Sequence, residues 1–347
     1  MVFCQVAEVT KPYACIQFIV DFLEYYTTMR DVKYVQFTAQ KDDDDRRLDR
    51  VLRKLLPSLS LPLIYKNIRT GFIRLNDKKT DSSTHVKNGD NIGIAEFLYS
   101  SNRINNAPAA VSDPFLESIT LFKNEHIWVL HKPAGLPVQK SKKDERSLDD
   151  IVRNASAKGS SLSFSPGPLH RLDRYTSGII CFSQSLLGAR WFSSAMQQNK
   201  LEKYYYGLAQ GELTRDEQWK DGIVKNKNEQ DFHTVSITQG NSITRAKPLS
   251  WGTYCGNSIT LIEYTIIGGK THQIRSQSAY HGFPLLGDSA YGGLCSKEIS
   301  SFFLHAHLLI LPDNELTIPV KIECPVPEKF RTMIKMCLPK TDTDLIL

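Results

Sequence analysis

The run His170-Arg171-Leu172-Asp173-Arg174-Tyr175-Thr176-Ser177-Gly178 leads directly into Ile179-Ile180-Cys181-Phe182, and no other stretch constrains the chain as tightly. Four apolar residues behind a glycine read as a buried strand fed by a loop. The small polar residues before that strand form a tight turn that lets the backbone approach a ligand. Asp173 stands among three bases, His170, Arg171 and Arg174. An opposite charge at contact range keeps a carboxylate ionised, which suits nucleophilic or base chemistry. A structural ion pair is the alternative, because such pairs also surround ordinary aspartates.

The tetrapeptide Arg-Leu-Asp-Arg occurs twice, at Arg47 to Arg50 and at Arg171 to Arg174, so by itself it specifies nothing. The first copy lies in a helical pattern with Leu48, Val51, Leu52, Leu55 and Leu56 on one face, where Asp49 is expected to be a solvated helix residue. Only the second copy has His170 before it and Thr176-Ser177-Gly178 after it.

Chain length permits two domains: 347 residues, 41% hydrophobic and 23% charged, are ordinary for a soluble globular protein. The net charge of +6 is local, since residues 46–99 hold 11 Lys or Arg against 5 Asp or Glu. Localised positive charge points to a polyanion such as nucleic acid, with a solvated basic face as the alternative. Seven cysteines without a C-x-x-C pair fit a reducing cytoplasm. Tyr13 to Tyr26 is interrupted by Asp21 and Glu24, too short for a membrane span and without a cleavage pattern, so no membrane association is expected.

Residues 1–28 match nothing else in the chain and are expected to be an extension or a mis-assigned start, with Met29 as the natural beginning. Val32 to Phe37 alternates like a strand, and Asp42 to Asp45 reads as a solvated acidic loop at the start of a helix. That helix, Arg46 to Leu56, is amphipathic, and a second begins near Pro62 and ends at Gly71. Strands follow at Phe72 to Leu75 and Asn91 to Ala95, with turns at Asn76-Asp77 and Asn88-Gly89-Asp90. Leu98 to Asp113 reads as a linker. Beyond it lie a strand at Ile127 to Leu130, a helix at Leu148 to Arg153 capped by Ser147, and a helix at Leu186 to Gln198 whose Leu187, Trp191 and Ala195 are expected in the core. Asp221 to Gly240 reads as a hairpin-rich surface insertion and Ile259 to Ile267 as a strand. Gly269-Lys270-Thr271 is not a phosphate-binding loop, because Tyr264 stands where that motif needs glycine. His305 and His307 alternate on a strand with no acid or thiol at ligand spacing, so no metal is expected.

His170 to Gly178 resembles the catalytic loop of the RluA-type pseudouridine synthase family, H-R-L-D-x-x-T-S-G. Lys132-Pro133-Ala134-Gly135-Leu136 is similar to its K-P-x-G-L segment, with His131 in place of the usual Asn. Lys203 to Tyr205 is similar to K-x-Y, and Gly269 to Arg275 to G-R-T-H-Q-I-R, with Lys270 for Arg and Ser276-Gln277 for V-H beyond it. Gly282 to Gly292, Leu304-His305-Ala306 and Pro325-Val326-Pro327 continue the likeness. Arg47 to Ile92 resembles the S-four-like RNA-binding domain.

What the resemblance implies is an α+β fold with a mixed, mainly antiparallel sheet: an S-four-like domain over 29–97, a linker over 98–113 and a catalytic domain over 114–340. It implies isomerisation of uridine to pseudouridine in large-subunit ribosomal RNA, with Asp173 as the essential carboxylate and no cofactor. Arg275 would pair with Asp173, Tyr205 would stack on the uracil, and Arg171 would fill the space left by the displaced nucleotide. Arg47, Arg50, Lys54, Lys66 and Arg69 would neutralise phosphates. A cytoplasmic monomer is expected. A non-catalytic RNA-binding or ribosome-assembly protein and a synthase acting on transfer RNA are the alternatives. A glycosidase ranks last, because it needs two catalytic carboxylates and only Asp173 has the setting.

Overall fold

A computed structural model describes residues 32–101, 113–140, 145–156, 161–225, 235–296, 298–299 and 301–339. The expected extension 1–28, the start at Met29 and most of the expected linker lie outside those residues. The chain divides into two units, Met1–Ala107 with Gly159–Ser163, and Pro108–Lys158 with Phe164–Leu347.

In the first unit, strand β1 (Tyr34–Thr38) is followed by a short β2 (Arg46–Arg47), helices α1 (Leu48–Leu55) and α2 (Leu61–Thr70), β3 (Ile73–Leu75), β4 (His85–Val86), β5 (Asn91–Ala95) and α3 (Glu96–Ser100). β5 lies between β1 and β3, antiparallel to both. Helical spacing places Leu48, Val51 and Leu52 of α1 in the core with Ile64 and Ile68 of α2. Gly71 ends α2 at φ 87°, as a left-handed helix terminus requires. Asn76 and Asp77, at φ 50° and 60°, close a two-residue turn between Leu75 and Lys78.

Four local expectations are corrected here. The helix starts at Leu48, because Arg46 and Arg47 pair with His85 and Val86. Asp49 is buried, held by the Arg47 guanidinium at 2.9 and 3.2 Å and by the Tyr65 hydroxyl at 3.2 Å. The acidic run is not a solvated loop throughout: Asp43 is fully buried. Its carboxylate accepts from the Leu162 and Ser163 amides, both at 2.9 Å, and from the Ser161 and Ser163 hydroxyls at 2.7 and 2.6 Å. Burial pushes its pKa up, and these bonds outweigh burial and hold it low. Leu98, expected to open the linker, sits in α3 and packs into the core.

The second unit is built on one ten-stranded sheet. In chain order its elements are α4 (Pro114–Ser118), β6 (Thr120–Lys123), β7 (Ile127–Lys132), α5 (Leu148–Ala155), β8 (Gly167–Pro168), β9 (Ser177–Ser183), α6 (Leu186–Gln197), β10 (Glu202–Gln210), β11 (Glu217–Lys225), β12 (Val235–Tyr254), β13 (Asn257–Ile267), α7 (Gln273–Tyr280), β14 (Leu304–Ile310), β15 (Lys321–Glu323) and α8 (Glu328–Cys337). Across the sheet the order is β11-β12-β13-β10-β14-β9-β7-β6, with β15 on β14 and β8 on β9. Every pairing is antiparallel except β14 with β9, which gives the α+β, mainly antiparallel sheet.

Period-two alternation assigns the strand residues to two faces. Leu130, Ile180, Phe182, Tyr205, Ile262 and Tyr264 face α5 and α7, whereas Ile127, Val129, Ile179 and Cys181 face α6, and Ile259 and Leu261 face α8. A strand covered on both sides reads as a continuous apolar run, as Ile179 to Phe182 does. The expected α6 stripe is shifted: Leu187 is exposed, and Gly188, Phe192 and Ala195 form the buried face. The hairpin expected over Asp221 to Gly240 is part of a long antiparallel pair, β11 with β12, whose tip lies outside the described residues, and Asp221 itself is buried. Among the described residues no helix is long and apolar enough to cross a membrane, and no cluster of three or more His, Cys, Asp or Glu could hold a metal.

Candidate active site

The loop before β9 is fixed at both ends. At its start the Cys181 amide donates to His170 Nε2 at 3.1 Å, and the His170 ring stacks on Phe192. At its exit Gly178 has φ 111° and meets β14 where the parallel pairing begins, and a Cβ there would overlap the Ala306 carbonyl oxygen. Only glycine satisfies both conditions. Between these points the fully buried Lys132 ammonium donates to the carbonyls of Pro133, Leu136 and Arg174 at 3.0, 2.9 and 2.9 Å, joining the Lys132-to-Leu136 segment to the loop. Burial pulls its pKa down to about 7. The Gly135 amide donates to the Arg174 carbonyl at 2.8 Å, Arg174 Nε returns a bond to the Gly135 carbonyl at 3.0 Å, and the Thr176 amide closes the turn on the Asp173 carbonyl at 3.1 Å. Ser177 Oγ lies 2.9 Å from Nδ1 of the buried His305, whose Nε2 faces the Cys324 carbonyl at 3.2 Å, which accounts for that histidine without a metal.

Asp173, held by this frame, is partly exposed. Its Oδ2 accepts from Arg275 Nη1 at 3.0 Å across 102 residues of sequence. Arg275 comes from the first turn of α7 and is buried between the Phe302 ring, 4.3 Å from its guanidinium carbon, and the Tyr291 ring, 5.0 Å away. Its remaining edge donates to Asp288, Nε to Oδ2 at 2.7 Å and Nη2 to Oδ1 at 2.8 Å. Burial disfavours the guanidinium charge, and the bonds and charges of Asp288 and Asp173 outweigh burial and raise its pKa. A forked cation gripped on one side by a buried carboxylate presents its free edge in one orientation, which aims the partner acid. Asp288 was not singled out from the sequence, although it stands in the Gly282-to-Gly292 segment. With both oxygens on Arg275, it is not the second catalytic carboxylate of a glycosidase.

Tyr205 of β10 is 5% exposed and packs in the core beneath the site. Burial, and then the Asp173 charge, raise its pKa, so it remains a neutral phenol. Arg171 is exposed. The structure therefore brings Asp173, Arg275 and Tyr205 together with Asp288, Tyr291, Phe302 and His272, four residues the sequence reading did not select. In the first unit, Arg50, Lys54, Lys66 and Arg69 are exposed, whereas the Arg47 fork is committed to Asp49.

α7 is tied to β11 and β12 by a buried polar network. The Gln277 amide donates to Asp221 Oδ2 at 2.7 Å and to the Ser242 carbonyl at 3.1 Å, and its oxygen accepts from Thr244 at 2.7 Å. His281, stacked on Trp219, lies 3.0 Å from the same Asp221 oxygen. The departure at Ser276-Gln277 thus comes with its own partners.

Residues 126–280 match the family model described as RNA pseudouridylate synthase. That span includes Asp173, Tyr205 and Arg275. The chain is 27% identical over 298 residues to ribosomal large subunit pseudouridine synthase C of Rickettsia typhi, covering 82% of this chain and 95% of that protein. It is 26% identical over 337 residues to the protein of the same name from Escherichia coli, covering 90% and 98%. Among solved structures, human RNA pseudouridylate synthase domain containing 1 shares the fold at a TM-score of 0.51 and 22% identity, over 66% of this chain and 92% of that one. Human RNA pseudouridylate synthase domain containing 4 does so at 0.51 and 19%, over 64% and 94%. With the loop from His170 to Gly178, the sheet and these relatives in agreement, residues 126–280 carry an RNA pseudouridylate synthase domain.

Proposed function

We propose that this protein isomerises uridine to pseudouridine in large-subunit ribosomal RNA, with Asp173 as the essential carboxylate. The reading rests above all on the Asp173–Arg275 contact, in which an otherwise buried guanidinium, anchored by Asp288, holds one oxygen of a carboxylate open to solvent. The names of the Rickettsia typhi and Escherichia coli relatives support the ribosomal substrate. In this reading the bond from ribose to uracil N1 breaks, the base turns, and C5 bonds to the sugar. Asp173 acts at the sugar, Tyr205 offers a flat face to the detached uracil, and Arg171 occupies the gap left by the extruded nucleotide. The unit containing 29–97 acts as an S-four-like module that binds phosphates through Arg50, Lys54, Lys66 and Arg69, and the protein works as a cytoplasmic monomer.

The test incubates the full-length protein with 5-tritiated uridine RNA, comparing large-subunit ribosomal RNA with transfer RNA. Tritium release from the ribosomal RNA together with pseudouridine in the product supports the reading. Release from transfer RNA alone assigns the other substrate. Free uracil would mean hydrolysis, and no release with tight binding would make the protein a binding module.

A further inference from the structure

His272 is the one histidine among the described residues with a ring nitrogen within 4.0 Å of the Asp173 carboxylate. Its backbone has φ 56° and ψ 20°, a left-handed conformation costly for a residue with a side chain, and its ring does not cap α7. Instead Nδ1 lies 3.0 Å from the Tyr291 hydroxyl, and Nε2 lies 3.7 Å from Asp173 Oδ1, the oxygen opposite the one Arg275 holds. A separation of 3.7 Å is too long for a hydrogen bond, so Nε2 is not consumed by that contact.

The isomerisation requires that a proton leave C5 of the uracil. Tyr205 is a protonated phenol and cannot accept one, the Lys132 ammonium is committed to three carbonyls, and His170 Nε2 is occupied by the Cys181 amide. We propose that His272 is the proton acceptor of the reaction, taking the C5 proton on Nε2 while Tyr291 holds Nδ1. This assignment rests on the function proposed above. The N1–C1′ electron pair goes to N1 and the C5–C1′ bond forms. The C5–H pair then restores the ring double bond as its proton passes to Nε2. N1 takes a proton from water and the imidazolium returns one, so the reaction is a balanced isomerisation. Asp173 beside the ring favours the imidazolium only once it forms, a stabilisation specific to the later part of the path.

The charged and titratable groups around the ring are Asp173 and Arg171 from the loop before β9, Asp288 and Tyr291 from the segment after α7, and Arg275 from α7 itself. Burial lowers the His272 pKa, Asp173 and Asp288 raise it, and Arg275 and Arg171 lower it, leaving it below the ordinary imidazole value. The ring is then neutral at pH 7 and able to accept a proton. Activity is expected to fall as pH drops through that lowered value.

The test compares wild type, His272→Asn and His272→Gln on RNA carrying protium or deuterium at uridine C5, each over a range of pH. Asn tolerates the left-handed backbone, and Gln serves if His272→Asn melts below wild type. Removing a general base should lower kcat about 10²- to 10⁴-fold. The assignment further expects an unchanged KM for RNA, a deuterium effect on kcat larger than in wild type, and loss of the acid limb. Wild-type kcat in a folded variant overturns it. So does a loss of kcat that leaves the isotope effect and acid limb as in wild type, since that marks a structural role. Absence of pseudouridine with the wild-type protein would overturn the proposed function instead.

Discussion

Arg275 joins the two carboxylates on which the site depends, so its replacement should be felt in folding as well as in chemistry. In Arg275→Met, Asp288 would be left 1% exposed with no cation. Removing one partner of a buried pair costs about 3–5 kcal/mol. Denaturant unfolding should show a loss of that order, together with loss of pseudouridine formation. Asp173→Asn leaves Asp288 paired and is expected to abolish product while melting near wild type and still binding RNA. A variant that binds RNA and retains product would remove Asp173 from the mechanism. Lys132 makes a separate prediction. Its folded pKa, about 7, lies below its ordinary value of 10.5, so between those values the unfolded chain holds more protons than the native one. Stability on this account rises with pH across that window and is flat below it. Lys132→Met should lose that part of the slope in denaturant titrations between pH 7 and pH 10, and should slow turnover by freeing the Arg174 carbonyl.

At the scale of elements, what could be read from the sequence was set by how local its cause is. Helices α1, α2 and α5 and strands β7, β9 and β13 follow from spacing and caps within the segment itself; Ser147 caps α5 and Gly71 ends α2, as their types suggest. Two of the misreadings, at Asp43 and Asp221, share one cause, a polar residue whose partner lies far along the chain. Asp43 bonds residues about 120 positions away, and Asp221 meets Gln277 after 56. Within the site, Asp173 and Arg275 were legible through motifs, whereas Asp288 becomes evident only where it grips Arg275. The Asp221 network makes α7 a testable element. Gln277→Leu removes the acceptor of the Thr244 hydroxyl proton and the donor to Asp221 and the Ser242 carbonyl, at about 1–3 kcal/mol for each buried group left unsatisfied. Because Arg275 and His272 belong to the same element and its cap, the expected outcome is a lower melting temperature with a fall in kcat larger than the change in RNA affinity.

For the whole molecule the informative quantity is where its charge lies. The net +6 matches the excess held by residues 46–99, and Arg50 with Lys54 on α1 and Lys66 with Arg69 on α2 stand at helical spacings of four and three. Their hydrophobic counterparts, Leu48, Val51, Leu52, Ile64 and Ile68, are buried in one core, so the basic residues are the outward faces of the same two helices. Arg47 stands apart, since its fork is bound to Asp49 and would have to leave that pair to meet a phosphate. If the four exposed cations contact RNA, each released counterion contributes about 0.7–0.9 to the slope of log affinity against log salt. Replacing all four by Ala should therefore reduce that slope by roughly 3 and weaken binding most at low salt. The rate at saturating RNA should be unchanged, because none of the four is near Asp173 in the chain or belongs to its unit. An Arg47→Ala variant should instead lose stability with little change in slope. Equal slopes for wild type and the fourfold variant would show that the charge excess of this unit is a solvated face and that RNA is held elsewhere.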